Sequence, residues 1–248
     1  MLRQLLYKRT AGAHSDFHFR GHEIKRIETF SDAVFAFAVT LLIVSLEVPR
    51  SFEELLTNMR GFLAFGTCFC LLMLIWHEQN TFFRRYGLDD RTTTILNSIL
   101  IFIVLFFVYP LKFLFALVFS DQIYGEGKSP FTIRETQVPQ LMVIYGLGYI
   151  AIYGLFLLLY LHALKNKIPL QLTSLELFDT RTKLYAHSLL IGIGVLSIIT
   201  ALLLPPAKAG WSGLVYALIG IIFTIYYNVR GKKRRNIYSH QPFNPTQP

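Results

Sequence analysis

The sequence predicts an all-α integral membrane protein with six transmembrane helices, and three observations carry that prediction. Of its 248 residues, 53% are hydrophobic and only 16% are charged, against about 25% charge in ordinary soluble domains. The apolar residues fall in blocks at 31–48, 61–83, 94–119, 138–164, 184–204 and 211–228, each close to the ~20 residues a helix needs to cross hydrocarbon. Runs such as Ile99-Leu100-Ile101-Phe102-Ile103-Val104-Leu105 lack the in/out alternation of a closed barrel, the other structure able to span a bilayer. Six such helices leave no room for a separate soluble enzyme.

Residues 1–25 form a cytoplasmic N-terminal segment without an uninterrupted apolar h-region, so the first span is expected to serve as the insertion signal. The six-helix membrane domain runs over 26–229, and 230–248 is a basic, Pro-rich cytoplasmic tail, disordered from 236. Orientation follows from the cations, which are retained on the cytoplasmic side. Of 24 Lys and Arg, 18 lie in the N-terminal segment, the second-to-third and fourth-to-fifth loops and the tail, and five lie opposite: Arg50, Arg60, Lys128, Arg134 and Lys208. Both termini are thus expected in the cytoplasm of a multi-pass cell-membrane protein. The net charge of +9 is then a product of topology, and no nucleic-acid partner is needed to explain it. The run Arg230–Arg235 reads as a stop-transfer flank, with contact to anionic lipid heads as its alternative.

The first span opens with the densest polar cluster, Arg26-Ile27-Glu28-Thr29-Phe30-Ser31-Asp32, ahead of an Ala/Val/Phe-rich helix. Charge within a span costs several kcal/mol unless it is paired. Arg26 and Asp32 are six apart, which rules out an i,i+4 pair, so Asp32 is expected to find Arg26 from a neighbouring turn, a hydroxyl, His77 or Asn97. Such a group serves either as a polar clasp between helices or as a proton carrier. The second span contains Cys68 and Cys70, whose side chains diverge, so neither a disulfide nor a metal is expected. It ends Trp76-His77-Glu78-Gln79, where His77 is a packing residue or a proton sensor. Asp89-Asp90 marks the N-terminus of the third span. That span carries Asn97, a kink at Pro110 and Lys112, expected to snorkel outward. Residues 120–137 form an irregular extracytoplasmic loop. In spans four to six, Gly146, Gly148, Gly154, Gly192, Gly194, Gly213 and Gly220 are expected to let helices approach closely. Tyr145-Gly146-Leu147-Gly148-Tyr149 lies inside a long apolar helix and is not a pore-loop filter.

The Arg26-x-x-x-Phe30-Ser31-Asp32 motif, continuing into a helix with Thr40 and Leu41, resembles the transmembrane protein 175 family of potassium channels. The six-span plan extends the resemblance over 24–228. It implies a single six-helix unit that assembles as a homotetramer, a pore lined by the first helix, no pore-loop filter, and K+ as the permeant ion with no cofactor. It further implies a constriction at Phe37, where the family has an aliphatic residue, ion preference at Thr40, pore-lining turns at Leu41 and Val44, and Arg26, Ser31 and Asp32 in a supporting polar network. Independently of the family, Phe37, Leu41 and Val44 fall at i, i+4 and i+7, one helical stripe. The competing reading is a proton-coupled secondary transporter using Asp32 and His77, weakened by the lack of internal inverted repeats. An intramembrane enzyme ranks last, because His77, His162 and His187 have no metal-ligand spacing.

Overall fold

The computed structural model describes residues 17–21, 23–44, 49–125 and 130–239; the side chains of Val44 and of 236–239 lie outside the described set. Among the described residues there is no strand. The helices, in chain order, are α1 (Arg26–Val44), α2 (Phe52–Arg60), α3 (Phe62–Tyr86), α4 (Arg91–Val118), α5 (Ser120–Tyr124), α6 (Val138–Lys165), α7 (Ser174–Leu203) and α8 (Leu218–Ser239), with 3-10 turns at Glu135–Gln137 and Pro206–Ala217. Among the described residues, five stretches are long and apolar enough to cross a membrane: Phe52–Tyr86, Arg91–Val118, Glu135–Lys165, Ser174–Leu203 and Pro206–Arg235. The 19-residue α1 is not among them.

Several boundaries follow from caps that hydropathy alone does not register. Asp90 caps α4 by accepting from the Thr92 amide at 3.0 Å and the Thr93 hydroxyl at 2.6 Å, as expected of an acid at the positive end of the helix dipole. Gly87 ends α3 at φ 58°, a left-handed conformation that favours glycine, and a Cβ there would lie 2.8 Å from the Arg20 carbonyl oxygen. α7 begins at Ser174, ten residues before its apolar block, through a reciprocal capping box between Thr173 and Glu176. The last crossing starts as a twelve-residue 3-10 segment, longer than such helices usually run.

The core is one cluster joining Phe35, Ala38 and Leu42 of α1, Cys68, Leu72, Phe82 and Phe83 of α3, Leu100, Val104 and Val108 of α4, and Phe156, Leu159 and Tyr160 of α6. α4 is its centre, packing on α1, α3 and α6, while α7 packs chiefly on α6 and carries the 3-10 segment and α8. Close approach uses only some of the small residues. A Cβ on Gly148 would run into the Phe107 ring, one on Gly146 into Ile198 and one on Gly194 into Ile150, whereas Gly154, Gly192, Gly213 and Gly220 face nothing within 4 Å in the protomer. Packing within one chain therefore does not explain those four, contrary to the sequence reading.

Two further details differ from expectation. Lys112 does not run outward to water; its ammonium donates to the Leu42 carbonyl at 3.0 Å. That carbonyl belongs to the last turn of α1, where helical partners run out and a cation is favoured. Within 120–137, Ser120–Tyr124 form α5 and Glu135–Gln137 a 3-10 turn, and the tail stays helical as far as Ser239.

Candidate functional site

Among the described helices α1 packs only on α3 and α4, and its two faces differ sharply. Ser31, Phe35, Ala38 and Leu42, spaced i, i+4, i+7 and i+11, are buried against those neighbours. On the other side Phe30, Ala33, Phe37, Thr40 and Leu41 are exposed, with Phe37 at 56% and Leu41 at 40%. A helix with one face in the core and an equally apolar opposite face open cannot be explained by packing within this chain; the open face contacts lipid, a second copy or a pore. The Thr40 hydroxyl donates to the Phe37 carbonyl at 2.7 Å, which leaves its oxygen lone pairs as acceptors. Val44 closes the helix, and its side chain lies outside the described residues.

Behind the open face the buried side of α1 is pinned by amides. Asn97 of α4 donates to the Ser31 hydroxyl at 2.8 Å and accepts from Gln79 of α3 at 2.7 Å. Ser31 passes its own proton to the Ile27 carbonyl at 2.7 Å. All three side chains are buried, so one continuous chain of hydrogen bonds crosses three helices in a low-dielectric setting. Truncating the middle member strands both ends: Asn97→Ala is expected to cost about 2–3 kcal/mol, read as a lower denaturation midpoint in detergent than that of Ser98→Ala, whose hydroxyl bonds only its own helix.

Asp32 is satisfied by a group that the sequence reading passed over: the Trp76 indole N–H donates to it at 2.7 Å. His77 and Arg26 are exposed and neither bonds to Asp32. The structure thus brings Ser31, Asp32 and Asn97 together with Gln79 and Trp76, and leaves Arg26 and His77 outside that network. A signal was present: Trp76 and Gln79 are three apart and share a helical face, whereas His77 points elsewhere.

A second polar cluster lies between α3, α6 and α7. Glu78 accepts from Lys183 at 2.6 Å and from the Tyr160 hydroxyl at 2.7 Å, and its carboxylate lies 3.3 Å from His187 Nε2. The His187 ring lies at 15° to that of Phe156, with centroids 5.5 Å apart. Near the same membrane edge, Glu176 is buried and forms a two-pronged ion pair with Arg20 at 3.0 and 2.9 Å, and the His18 amide adds a third bond at 2.8 Å. Arg20 also donates to the Leu170 carbonyl, strapping the segment before α1 onto the α6–α7 turn. Asp90 meets His162 of α6 at 2.9 Å. Burial pushes the Asp90 carboxyl up, but bonds from Thr93 and His162 outweigh it and hold the group below its ordinary value. Among the described residues no group of three or more His, Cys, Asp or Glu is placed to hold a metal ion.

Comparison with known proteins points in one direction. The family model described as "Endosomal/lysosomal potassium channel TMEM175" matches residues 26–108, the part of the chain that contains α1, α3 and most of α4. A protein of Marivirga tractuosa named "Potassium channel" is 39% identical over 246 residues, covering 94% of this chain and 98% of the relative. A potassium channel of Chamaesiphon minutus is 32% identical over 96 residues, 36% of this chain and 47% of that one. Among solved structures, a crystal structure of a variant of the potassium channel MtTMEM175 in complex with a nanobody–MBP fusion protein is similar at a TM-score of 0.77 and 38% identity. It covers 88% of this chain and 98% of its own. A TMEM175 homologue from Chamaesiphon minutus, at 19% identity and a TM-score of 0.54, shares the fold over 83% of this chain and 96% of its own.

Proposed function

The chain belongs to the TMEM175 family of potassium channels, a family of ion channels and not of enzymes, and from that premise we propose that it is a potassium-permeable channel of the cell membrane whose pore is lined by α1. Four copies assemble around one axis, α1 serves as the sixth crossing, and both termini face the cytoplasm. The observation that carries this reading is the open, apolar face of a helix whose opposite side is buried through Ser31, Phe35, Ala38 and Leu42. A head-to-tail arrangement of identical chains closes into a ring, and placing the open face of α1 on the axis stacks rings of Phe37, Leu41 and Val44 there. Apolar rings of this kind act as a barrier by dewetting, without a carbonyl filter.

Thr40 lies between the Phe37 and Leu41 levels and supplies acceptor oxygens to an ion that has shed water. Ser31, Asn97 and Gln79, with Trp76 on Asp32, hold the back of α1 so that the front keeps a fixed register. The 18 cations on the cytoplasmic side support the orientation.

Single-channel recording of the purified protein in planar bilayers, with potassium on one side and sodium on the other, tests this function. Discrete unitary currents reversing toward the potassium equilibrium potential are expected. Saturable flux without unitary steps, abolished in Asp32→Asn while the protein stays folded, would replace the channel by a carrier.

A further inference from the structure

We infer that the cytoplasmic corner between α7 and α8 is a binding site for the headgroup of an anionic phospholipid, centred on Arg230. Its guanidinium carbon lies 5.0 Å from the ring centroid of Phe178, 5.0 Å from that of Tyr185 and 5.7 Å from that of Tyr226. Nε donates to the Tyr226 hydroxyl at 3.3 Å, and that hydroxyl donates onward to the Thr182 carbonyl at 2.7 Å. Three rings and one hydroxyl therefore hold the planar fork in place, while its two terminal nitrogens have no acceptor among the described residues. Asp179, the residue after Phe178, pairs instead with Arg234 at 3.0 and 3.2 Å. A half-buried, pre-oriented guanidinium with free donors and no counter-ion matches the bidentate geometry of a phosphodiester.

The surroundings select a lipid over a soluble anion. Lys232, Lys233 and Arg235 are exposed one turn further along α8, and Arg181 is exposed beside Thr182 on α7. Toward the membrane interior the exposed side chains become aliphatic: Ile221, Ile225 and Val229, four residues apart on α8, are 62%, 60% and 49% exposed. Among the described elements α8 packs only on α7 and the 3-10 segment, so this stripe is open for an acyl chain, and it leads to the basic cluster where a headgroup would sit. Cations at this level add attraction to an anionic leaflet. The stop-transfer reading explains why the run is basic, but not why Arg230 is caged and left without an anion.

The full chain in dodecyl maltoside is titrated with dioleoyl phosphatidylglycerol, with dioleoyl phosphatidylcholine and with inorganic phosphate, while thermal denaturation and lipid adducts by native mass spectrometry are followed. Phosphatidylglycerol is expected to raise the midpoint and remain bound, phosphatidylcholine to do neither, and phosphate alone to shift it little. Arg230→Gln is expected to abolish the difference between the two lipids. Lys232→Gln/Lys233→Gln, which alters only exposed side chains, is expected to weaken phosphatidylglycerol about thirty-fold, the equivalent of roughly 1 kcal/mol per lost cation. The inference is overturned if both lipids act alike in the wild type, if phosphate reproduces the whole shift, or if Arg230→Gln or the double lysine variant keeps full lipid preference. Loss of the oligomer in that variant without loss of lipid preference would instead assign the corner to a second copy of the chain.

Discussion

Phe37→Ala is expected to raise potassium flux through the reconstituted protein by on the order of tenfold, which corresponds to taking ~1.4 kcal/mol off the barrier. The ring stands on the open face of α1 at 56% exposure, so truncation removes little packing within the protomer, and alanine is the best helix former. In the proposed tetramer, with α1 on the pore axis, the change is multiplied by four: the aperture widens and the apolar surface that expels water shrinks, which lowers a dewetting barrier. Liposome flux and single-channel conductance read the effect directly. Unchanged conductance with wild-type selectivity would remove Phe37 from the constriction. A gain in Leu41→Ala without one in Phe37→Ala would move the narrowest level one turn along the helix. Because leucine is smaller than phenylalanine and larger than alanine, Phe37→Leu is expected to fall between wild type and alanine.

Glu78→Ala is expected to destabilise the protein by about 3 kcal/mol, because removing one partner of a desolvated pair leaves the other uncompensated. Glu78 and Lys183 side chains are 17% and 21% exposed at 2.6 Å separation, so some water screens them and the lower end of the range applies. Tyr160 and His187, both buried, lose an acceptor in the same step. The midpoint in detergent is expected to fall well beyond that of Glu53→Ala, an exposed acid on α2. Replacing both charges, Glu78→Leu with Lys183→Met, is expected to recover most of the loss, since apolar side chains of similar volume are often neutral in place of a buried pair. A loss under about 1 kcal/mol in Glu78→Ala would mark the pair as a surface-type contact.

The parts of the molecule legible in the sequence are those set by composition and local chemistry. The predicted blocks at 61–83, 94–119 and 138–164 fall within α3, α4 and α6 to within a few residues, because an uninterrupted apolar run has few alternatives in a membrane. Asp90 as a cap was visible, since the cap acts on the Thr92 amide and the Thr93 hydroxyl, two and three residues away. The start of α7 was not. Its first three turns carry Glu176, Asp179, Arg181 and Lys183, which hydropathy assigns to a loop. The Thr173–Glu176 capping box starts the helix there, and Arg20, Arg234 and Glu78, from three distant segments, hold its polar turns in the fold by pairing with Glu176, Asp179 and Lys183.

The same division runs through the functional site. By itself the sequence determined that α1 bears an apolar stripe through Phe37 and Leu41, that Ser31, Asp32 and Asn97 are polar groups in need of partners, and which family the motif resembles. Helical periodicity and the cost of an unsatisfied polar group in lipid are properties of the chain alone. Only the tertiary structure decided which side of α1 is the back and which the front, that Trp76 and Gln79 rather than His77 and Arg26 complete the network, and that Glu78 is held by Lys183, Tyr160 and His187. Every face of α1 is apolar, so hydrophobicity cannot orient it. The crossing of α3 and α4 behind Ser31 can, because a buried amide with two fixed partners tolerates one rotation of the helix.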